Sequence, residues 1–399
     1  MRETCNRPSI YKVDMSRYLI ILLVIALYLV PFYQKRSVAQ PETVLKESPA
    51  AAHDRGADER PFYSEDLVTR QAPGTIAHVS SIAPAGNNRM ACVWYAGSRE
   101  GAADVSIYYA VYNEKDGTWT DPVVLVSREQ ASRELGRYIK KLGNPVIFSD
   151  KEGRLWLFYA SVTVGGWSGT SLNYKTSTDE GLTWTKSRKM MLGPFFNLAA
   201  NVKNKGVNMD DGSFLLPVYH EFMKKYSQAL LVRPGDVGTS YEIRKMTRTG
   251  RAIQPSIVHE GGKKLTAFFR NMGPEEKRHV LTSTSDDLGL SWSGLKDTAL
   301  PNPNSGLDMV RLDSSDWLAV INNSFEDRDN LTMMISGDNG KSWKTLKVLE
   351  QLRGNEYSYP SMSRSGQGLY HITYTYNRQG IKHIVFNEAW IRQNKEALN

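Results

Sequence analysis

The segment YAGSREGAADV, Tyr95 to Val105, holds an arginine, a glutamate and an aspartate. The Arg99 guanidinium can grip a carboxylate through two parallel hydrogen bonds, or simply close a turn with Glu100. Asp104 stands between Ala103 and Val105, an apolar setting that would raise its pKa toward acid duty. GNEYSYPSM sets Glu356 beside Tyr357, a carboxylate next to a phenol, although neighbours in a strand point to opposite faces. Tyr359, two residues on, is expected on the face of Tyr357. NSFEDRDNLTMMIS places Arg328 among Glu326, Asp327 and Asp329, a pattern that equally suits a solvated surface. Glu221, in PVYHE, is a loop carboxylate beside His220. PNPNSGLD, which contains Asn304 and Asp308, is a turn-rich loop suited to hydroxyl recognition. Asn377 and Arg378 in TYTYNRQGIKH, and Asn144 in LGNPVIF, have the same polar character. Trp167, on the Gly loop VGGWSG, can stack on a sugar face or anchor its loop.

Such residues need a scaffold, and a repeat announces it. STDEGLTW (Ser177–Trp184), SDDLGLSW (Ser285–Trp292) and SGDNGKSW (Ser336–Trp343) all read S-x-D-x-G-x-[ST]-W. Two decayed copies join them, DVGTSY (Asp236–Tyr241) and KDGTWT around Trp119. The closing aromatics at 119, 184, 241, 292 and 343 are 65, 57, 51 and 51 residues apart. The boxes are expected to brace hairpins, with Ser and Asp capping backbone N–H groups, Gly taking positive φ and Trp packing under the turn. Between them run short segments rich in aromatic and β-branched residues, such as RLWLFYASVTV and LYHITYTYN, and none keeps a helical period over three turns. The period of about 55 residues gives about six four-stranded units, an all-β six-bladed β-propeller. IKHIVFNEAWI is expected to be a strand that helps close the ring against the first blade.

The N-terminus differs. Tyr18 to Tyr33, YLIILLVIALYLVPFY, is uncharged and apolar, with Arg17 before it and Lys35 and Arg36 after. It reads as an uncleaved signal anchor or transmembrane helix in preference to a cleaved signal peptide, and either form exports the remainder of the chain. The expected organisation is a short cytoplasmic segment (1–17), the anchor helix (18–33), a flexible linker (34–62) and the propeller (63–399). The net charge is +8, but no Lys/Arg block or nucleic-acid motif accompanies it, so nucleic acid is not an expected partner. The two cysteines, Cys5 and Cys92, suit neither a disulfide nor a metal site. Seven histidines without metal-ligand spacing, and boxes too poor in ligands for calcium, give no metal and no cofactor.

The three boxes are Asp-boxes, or bacterial neuraminidase repeats. From about residue 65 to 395 the chain resembles the sialidase (neuraminidase) superfamily, above all its bacterial sialidase-like branch. YAGSREGAADV, GNPVIF, LPNPNSGLD, EYSYPSM and TYTYNRQGIKH carry that resemblance. It implies a six-bladed propeller in which three arginines hold a substrate carboxylate. A tyrosine activated by a glutamate attacks the sugar, and an aspartate is the acid/base. A phenolate nucleophile avoids the repulsion that a carboxylate would feel near an anionic sugar. By this likeness Arg99, Arg270 and Arg328 fall at arginine positions, Asp104 at the acid/base and Tyr357 at the nucleophile. Two positions depart. His78 stands for the first arginine, an exchange that trades a clamp for a general acid/base. Gln254 stands for the glutamate and cannot act as a base, leaving Glu221 as a substitute.

The expected function is therefore glycan processing at the cell envelope, by an exo-glycosidase acting on an acidic sugar, sialic-type or uronic. Such a protein would sit in the bacterial inner membrane with its propeller outside, or be secreted. Two alternatives stay open: a uronate polysaccharide lyase using His78 or Tyr357 as base, and a non-catalytic glycan-binding module.

Overall fold

A computed structural model describes residues 60–70, 75–86, 88–192, 200–221, 226–235, 239–248, 250–274 and 276–398. The segment 1–17, the apolar run 18–33, the linker up to residue 59 and residues 236–238 of one decayed box lie outside them.

Six antiparallel sheets follow one another along the chain. Blade I comprises β2 (Ile76–Pro84), β3 (Arg89–Gly97) and β4 (Ser106–Asn113), with the short edge strands β5 (Thr118–Trp119) and β6 (Val123–Val126). Blade II comprises β7 (Lys141–Ser149), β8 (Leu155–Val162), β9 (Thr170–Ser177) and β10 (Arg188–Lys189). Blade III comprises β11 (Ala200–Val202), β12 (Val207–Asn208), β13 (Phe214–His220), β14 (Tyr226–Arg233) and β15 (Ser240–Lys245). Blade IV comprises β16 (Ala252–Gly261), β17 (Lys264–Asn271), β18 (His279–Ser285) and β19 (Lys296–Pro301). Blade V comprises β20 (Asp308–Arg311), β21 (Trp317–Ile321), β22 (Asn330–Ser336) and β23 (Lys344–Gln351). Blade VI has β24 (Tyr357–Arg364), β25 (Tyr370–Tyr376) and β26 (Gly380–Phe386), and β1 (Tyr63–Arg70) from the other end of the chain adds its outer strand. The first strands of the blades, β2, β7, β11, β16, β20 and β24, pack around the axis. The all-β propeller therefore stands, with its closure corrected. IKHIVF is the third strand of blade VI, and NEAWI begins a helix, Glu388–Glu396, capped by Asn387 Oδ1 on Trp390 N (3.0 Å). A second short helix, Arg128–Leu135, is capped by Ser127 Oγ on Gln130 N (3.1 Å).

Middle strands are buried because both their faces meet neighbouring blades, and most of their residues are apolar; β8 is buried along its whole length. The seams between successive blades from I to VI are aliphatic and aromatic, each large side chain stabilising by about 1.5–3 kcal/mol. The seam between VI and I is partly polar. There His371 Nε2 meets Glu114 Oε1 (2.9 Å) and His371 Nδ1 meets His383 Nε2 (2.9 Å), all of them buried.

The boxes form the hairpin braces expected of them. Ser285 Oγ donates to Asp287 Oδ1 (2.8 Å) and accepts from Gly289 N (2.8 Å), Asp287 Oδ1 accepts from Ser291 N (2.9 Å), and Trp292 Nε1 donates to the Gly289 carbonyl (3.1 Å). The boxes at Ser177 and Ser336 repeat this set within about 0.1 Å. Their glycines take φ of 77–86°. All three follow a third strand, at the end of the molecule opposite the starts of the inner strands.

Four inner strands share a feature that alternation does not foretell. β2, β7, β16 and β24 each slip register near their start, around Val79, Asn144, Gln254 and Tyr359. These residues hold φ of 45–55°. Such left-handed bulge residues re-aim their side chains, and for β-branched Val79 the conformation is strained. Three of the four precede a proline: Pro145, Pro255 and Pro360.

Candidate functional site

The bulges fall near the starts of the inner strands, and their side chains converge at that end of the axis, Val79 packing with Tyr359 and Gln254 linking Tyr219 to Arg270; this meeting place is the hollow of the site. Asn144 Nδ2 and Gln254 Nε2 both donate to Tyr219 Oη, each at 3.2 Å. Arg270, at the end of β17, donates from Nε to Asn304 Oδ1 (2.7 Å) and from Nη1 to Gln254 Oε1 (3.3 Å) and Tyr359 Oη (3.4 Å). All three acceptors are neutral, and among the described residues no carboxylate pairs with Arg270. Gly306 makes the approach possible: a Cβ there would stand 3.0 Å from the Tyr359 ring and 3.1 Å from Gln254 Oε1.

Tyr359 is the centre of this set. Its ring lies 5.5 Å from the Arg328 guanidinium and 5.9 Å from Lys203 Nζ, and edge-on to His78 at 5.0 Å. Lys203 is buried and donates to the Pro360 carbonyl (3.0 Å), so it supports the bulge from beneath. Burial pulls its ammonium down to about 8. His78 Nδ1 lies 3.0 Å from Thr375 Oγ1, which also accepts from Val79 N (3.0 Å). Burial, then the positive charge of Arg378, pushes His78 down to about 3, so its imidazole is neutral at neutral pH.

Two further cations close one side. Arg328 Nη2 donates to the Asn304 carbonyl (2.7 Å), and Nη1 reaches Glu356 Oε1 at 3.5 Å. Arg378 donates from Nε to Glu356 Oε2 (2.5 Å) and from Nη1 to Glu100 Oε2 (3.2 Å). Its carbonyl accepts from Ala77 N (2.9 Å), which pins the turn beside the His78 strand. Burial alone would raise Glu356, but the Arg378 hydrogen bond and nearby positive charge bring it below the usual range. A cleft of about 390 Å³ opens against this side, lined in part by Pro303, Arg328, Asn355 and Glu356.

The remaining candidates lie elsewhere or are otherwise engaged. Tyr357 is buried between blades V and VI against Tyr376, its hydroxyl accepting from Asn355 Nδ2 (3.0 Å). The expected shared face of Tyr357 and Tyr359 is corrected by the bulge at 359. Asp104 is exposed, not apolar in setting, and Ser98 Oγ and N hold its carboxylate below its ordinary pKa. Arg99 is exposed on the same loop. Glu221 follows β13, and its charge, after burial, contributes to raising Tyr219. Asp308 is buried and fully engaged, accepting from Ser256 Oγ and Met309 N on one oxygen, and from Lys205 Nζ and Met362 N on the other. Its role here is to tie three inner strands, β16, β20 and β24, to the loop after β11, not to read hydroxyls.

This arrangement can be set beside known proteins. The model of the BNR repeat-like domain matches residues 88–372. The chain belongs to the BNR repeat-like family. Sequence and fold together fit this BNR protein within the sialidase superfamily. It is 20% identical over 281 residues to a sialidase of Bacteroides fragilis, covering 63% of this chain and 50% of that protein. The chain thus spans half the length of that relative. A Hadza microbial sialidase superposes with a TM-score of 0.63 at 17% identity, over 78% of this chain and 65% of that one. A protein of unknown function from Dyadobacter fermentans superposes with a TM-score of 0.65 at 14% identity, over 82% and 99%. At these identities the superpositions show the fold.

Sequence reading did not place Tyr359 at the centre, and it passed over Lys203 and Tyr219 altogether. A usable signal was present: the x-Pro pairs Asn144-Pro145, Gln254-Pro255 and Tyr359-Pro360 recur at the start of apolar strands, and each marks a bulge. Among the described residues no group of three or more His, Cys, Asp or Glu could hold a metal, and no helix is long and apolar enough to cross a membrane.

Proposed function

We propose that this protein is a sialidase-type glycosidase that takes a carboxylate-bearing sugar into the axial hollow. The observation that carries the reading is the Arg270 guanidinium, held only by neutral acceptors at the hydroxyl of Tyr359. Its charge is open to a substrate carboxylate, with Arg328 beside it. In this reading Tyr359 replaces Tyr357 as nucleophile. Its Oη gives its proton to the neutral His78 imidazole and bonds to the anomeric carbon, the glycosidic C–O bond breaks, and the leaving oxygen takes that proton from His78. Water then attacks the same carbon, the bond to Oη breaks, and one water proton passes through His78 to Oη, releasing the sugar and restoring the phenol. In this reading Asn144 and Arg378 meet hydroxyl groups of the sugar, and Arg99 approaches from its loop. The relatives named sialidase support the substrate class. The proposal includes export, with the run 18–33 as anchor in a bacterial inner membrane; fractionation that left the protein in the cytoplasm would overturn that part.

One observation favours a second reading. Gln254 offers no base, whereas His78 is an uncharged base at neutral pH. On a uronate, His78 would take the proton α to the carboxylate, the leaving oxygen would be protonated by Tyr359, and Arg270 and Arg328 would hold the enolate charge. Incubation with a methylumbelliferyl sialoside and, separately, with polyuronates distinguishes them. Fluorophore release supports hydrolysis, and absorbance near 235 nm, where unsaturated uronates absorb, supports elimination. Binding of these glycans without either signal would leave the protein a glycan-binding module and sink the enzyme reading.

A further inference from the structure

Blade II carries a row of cations that the hollow does not use. Lys141 opens the inner strand β7, its Nζ 4.3 Å from the Trp167 ring. The indole rests against Gly143, where a Cβ would collide with it, one residue before Asn144 of the hollow. Arg137 crosses the next two strands: Nη2 donates to Ser161 Oγ (2.9 Å) and Asn173 Oδ1 (3.3 Å), and Nη1 to Ser171 Oγ (3.3 Å). Lys189, on the outermost strand β10, lies opposite Asn173. Lys140 is exposed between Arg137 and Lys141.

Among the described residues no carboxylate forms an ion pair with any of these four cations. Glu134, the nearby acid of this blade, is taken by Lys175 and Ser187. Glu100, whose charge reaches Lys141, is taken by Arg378. The cations also press on one another: after burial, the charge of Arg137 lowers Lys189, and that of Lys140 lowers Lys141. Three strand spacings of about 4.8 Å carry the row about 14 Å outward from the axis.

We infer that the upper end of blade II is a radial binding track for further units of an acidic glycan whose terminal sugar occupies the hollow. This rests on the glycan reading above. The ligand is a linear oligosaccharide with carboxylate or sulfate groups on successive units. Its second unit lies against the Trp167 indole, and its anionic groups meet Lys141, Arg137 and Lys189 in turn.

The test is calorimetric titration of the whole chain with oligosialates and oligogalacturonates of one to five units, at two salt concentrations. Affinity for one of the two series is expected to rise at least tenfold from one unit to four and to weaken with salt. Lys189→Gln and Lys140→Gln are expected to cut affinity about threefold each, the loss growing with length, while Trp167→Ala removes the gain from the second unit. Unchanged melting temperatures show that the variants are folded. Affinity independent of length overturns the track, as does equal binding of single-stranded DNA of matching charge. Length-dependent binding without turnover keeps the track and sinks the enzyme reading; turnover of a monosaccharide glycoside without length dependence does the reverse.

Discussion

Arg270 and Tyr359 set the demands on any ligand of the hollow. Replacing Arg270 with Gln keeps a polar side chain but removes the charge and the fork. A loss of about a hundredfold in kcat/KM, about 3 kcal/mol, is expected on any acidic substrate that is turned over. Tyr359→Phe should abolish hydrolysis with the melting temperature nearly unchanged. Tyr357→Phe should show the opposite: activity retained and stability lowered by about 1 kcal/mol for the hydrogen bond from Asn355. Equal activity of the wild type and Tyr359→Phe would remove the nucleophile from the scheme. At this scale the sequence was only partly legible. Arg270 and Arg328 were found by likeness, and they meet at the axis because a long guanidinium side chain tolerates small shifts of register. Tyr359 was not, because alternation puts both tyrosines on one face, likeness favoured the Tyr357-Ser358 pair, and the left-handed residue at 359 that separates them has no local signature beyond the proline after it.

The elements divide by how local their causes are. An Asp-box holds itself: its serine, aspartate, glycine and tryptophan lie within eight residues and bond mainly to one another, so spacing alone reveals them. Ser285→Ala removes a donor to Asp287 and an acceptor for Gly289 N. It should cost about 1–2 kcal/mol, read as a lowered urea midpoint with turnover per folded molecule unchanged, because the boxes lie at the far end from the hollow. Loss of activity in folded protein would contradict that separation. The bulges have distant causes. Val79 keeps its strained backbone because Thr375, nearly three hundred residues away, accepts its N–H, and nothing near Val79 in the chain announces this. The two helices escaped notice because each is only two to three turns long, too short for a periodic pattern to stand out.

Across the molecule the buried histidines govern behaviour in acid. His78, His371 and His383 all have their pKa values pulled below 6.5, with burial the largest cause. The folded state therefore refuses protons that the unfolded chain accepts once the pH drops through about 6.5. Stability is full above that point and falls below it, by up to about 1.4 kcal/mol per pH unit for each histidine. The melting temperature at pH 5 should lie several degrees below that at pH 7.5, and His371→Gln should reduce the difference. A flat profile would show that the seam between blades VI and I tolerates charge. The number of blades was legible from the repeat, but the identity of the closing strand was not: the pairing of β1 with β26 joins residues more than three hundred positions apart.

That pairing turns the wheel into a belt with a buckle. Tension applied at the N-terminal side, such as a membrane attachment would transmit, bears first on the ladder from Tyr63–Phe386 to Arg70–Gly380. It is an outermost strand, so it can peel away while the inner strands and the hollow stay assembled. A molecule held by that end would yield at its margin and keep its centre.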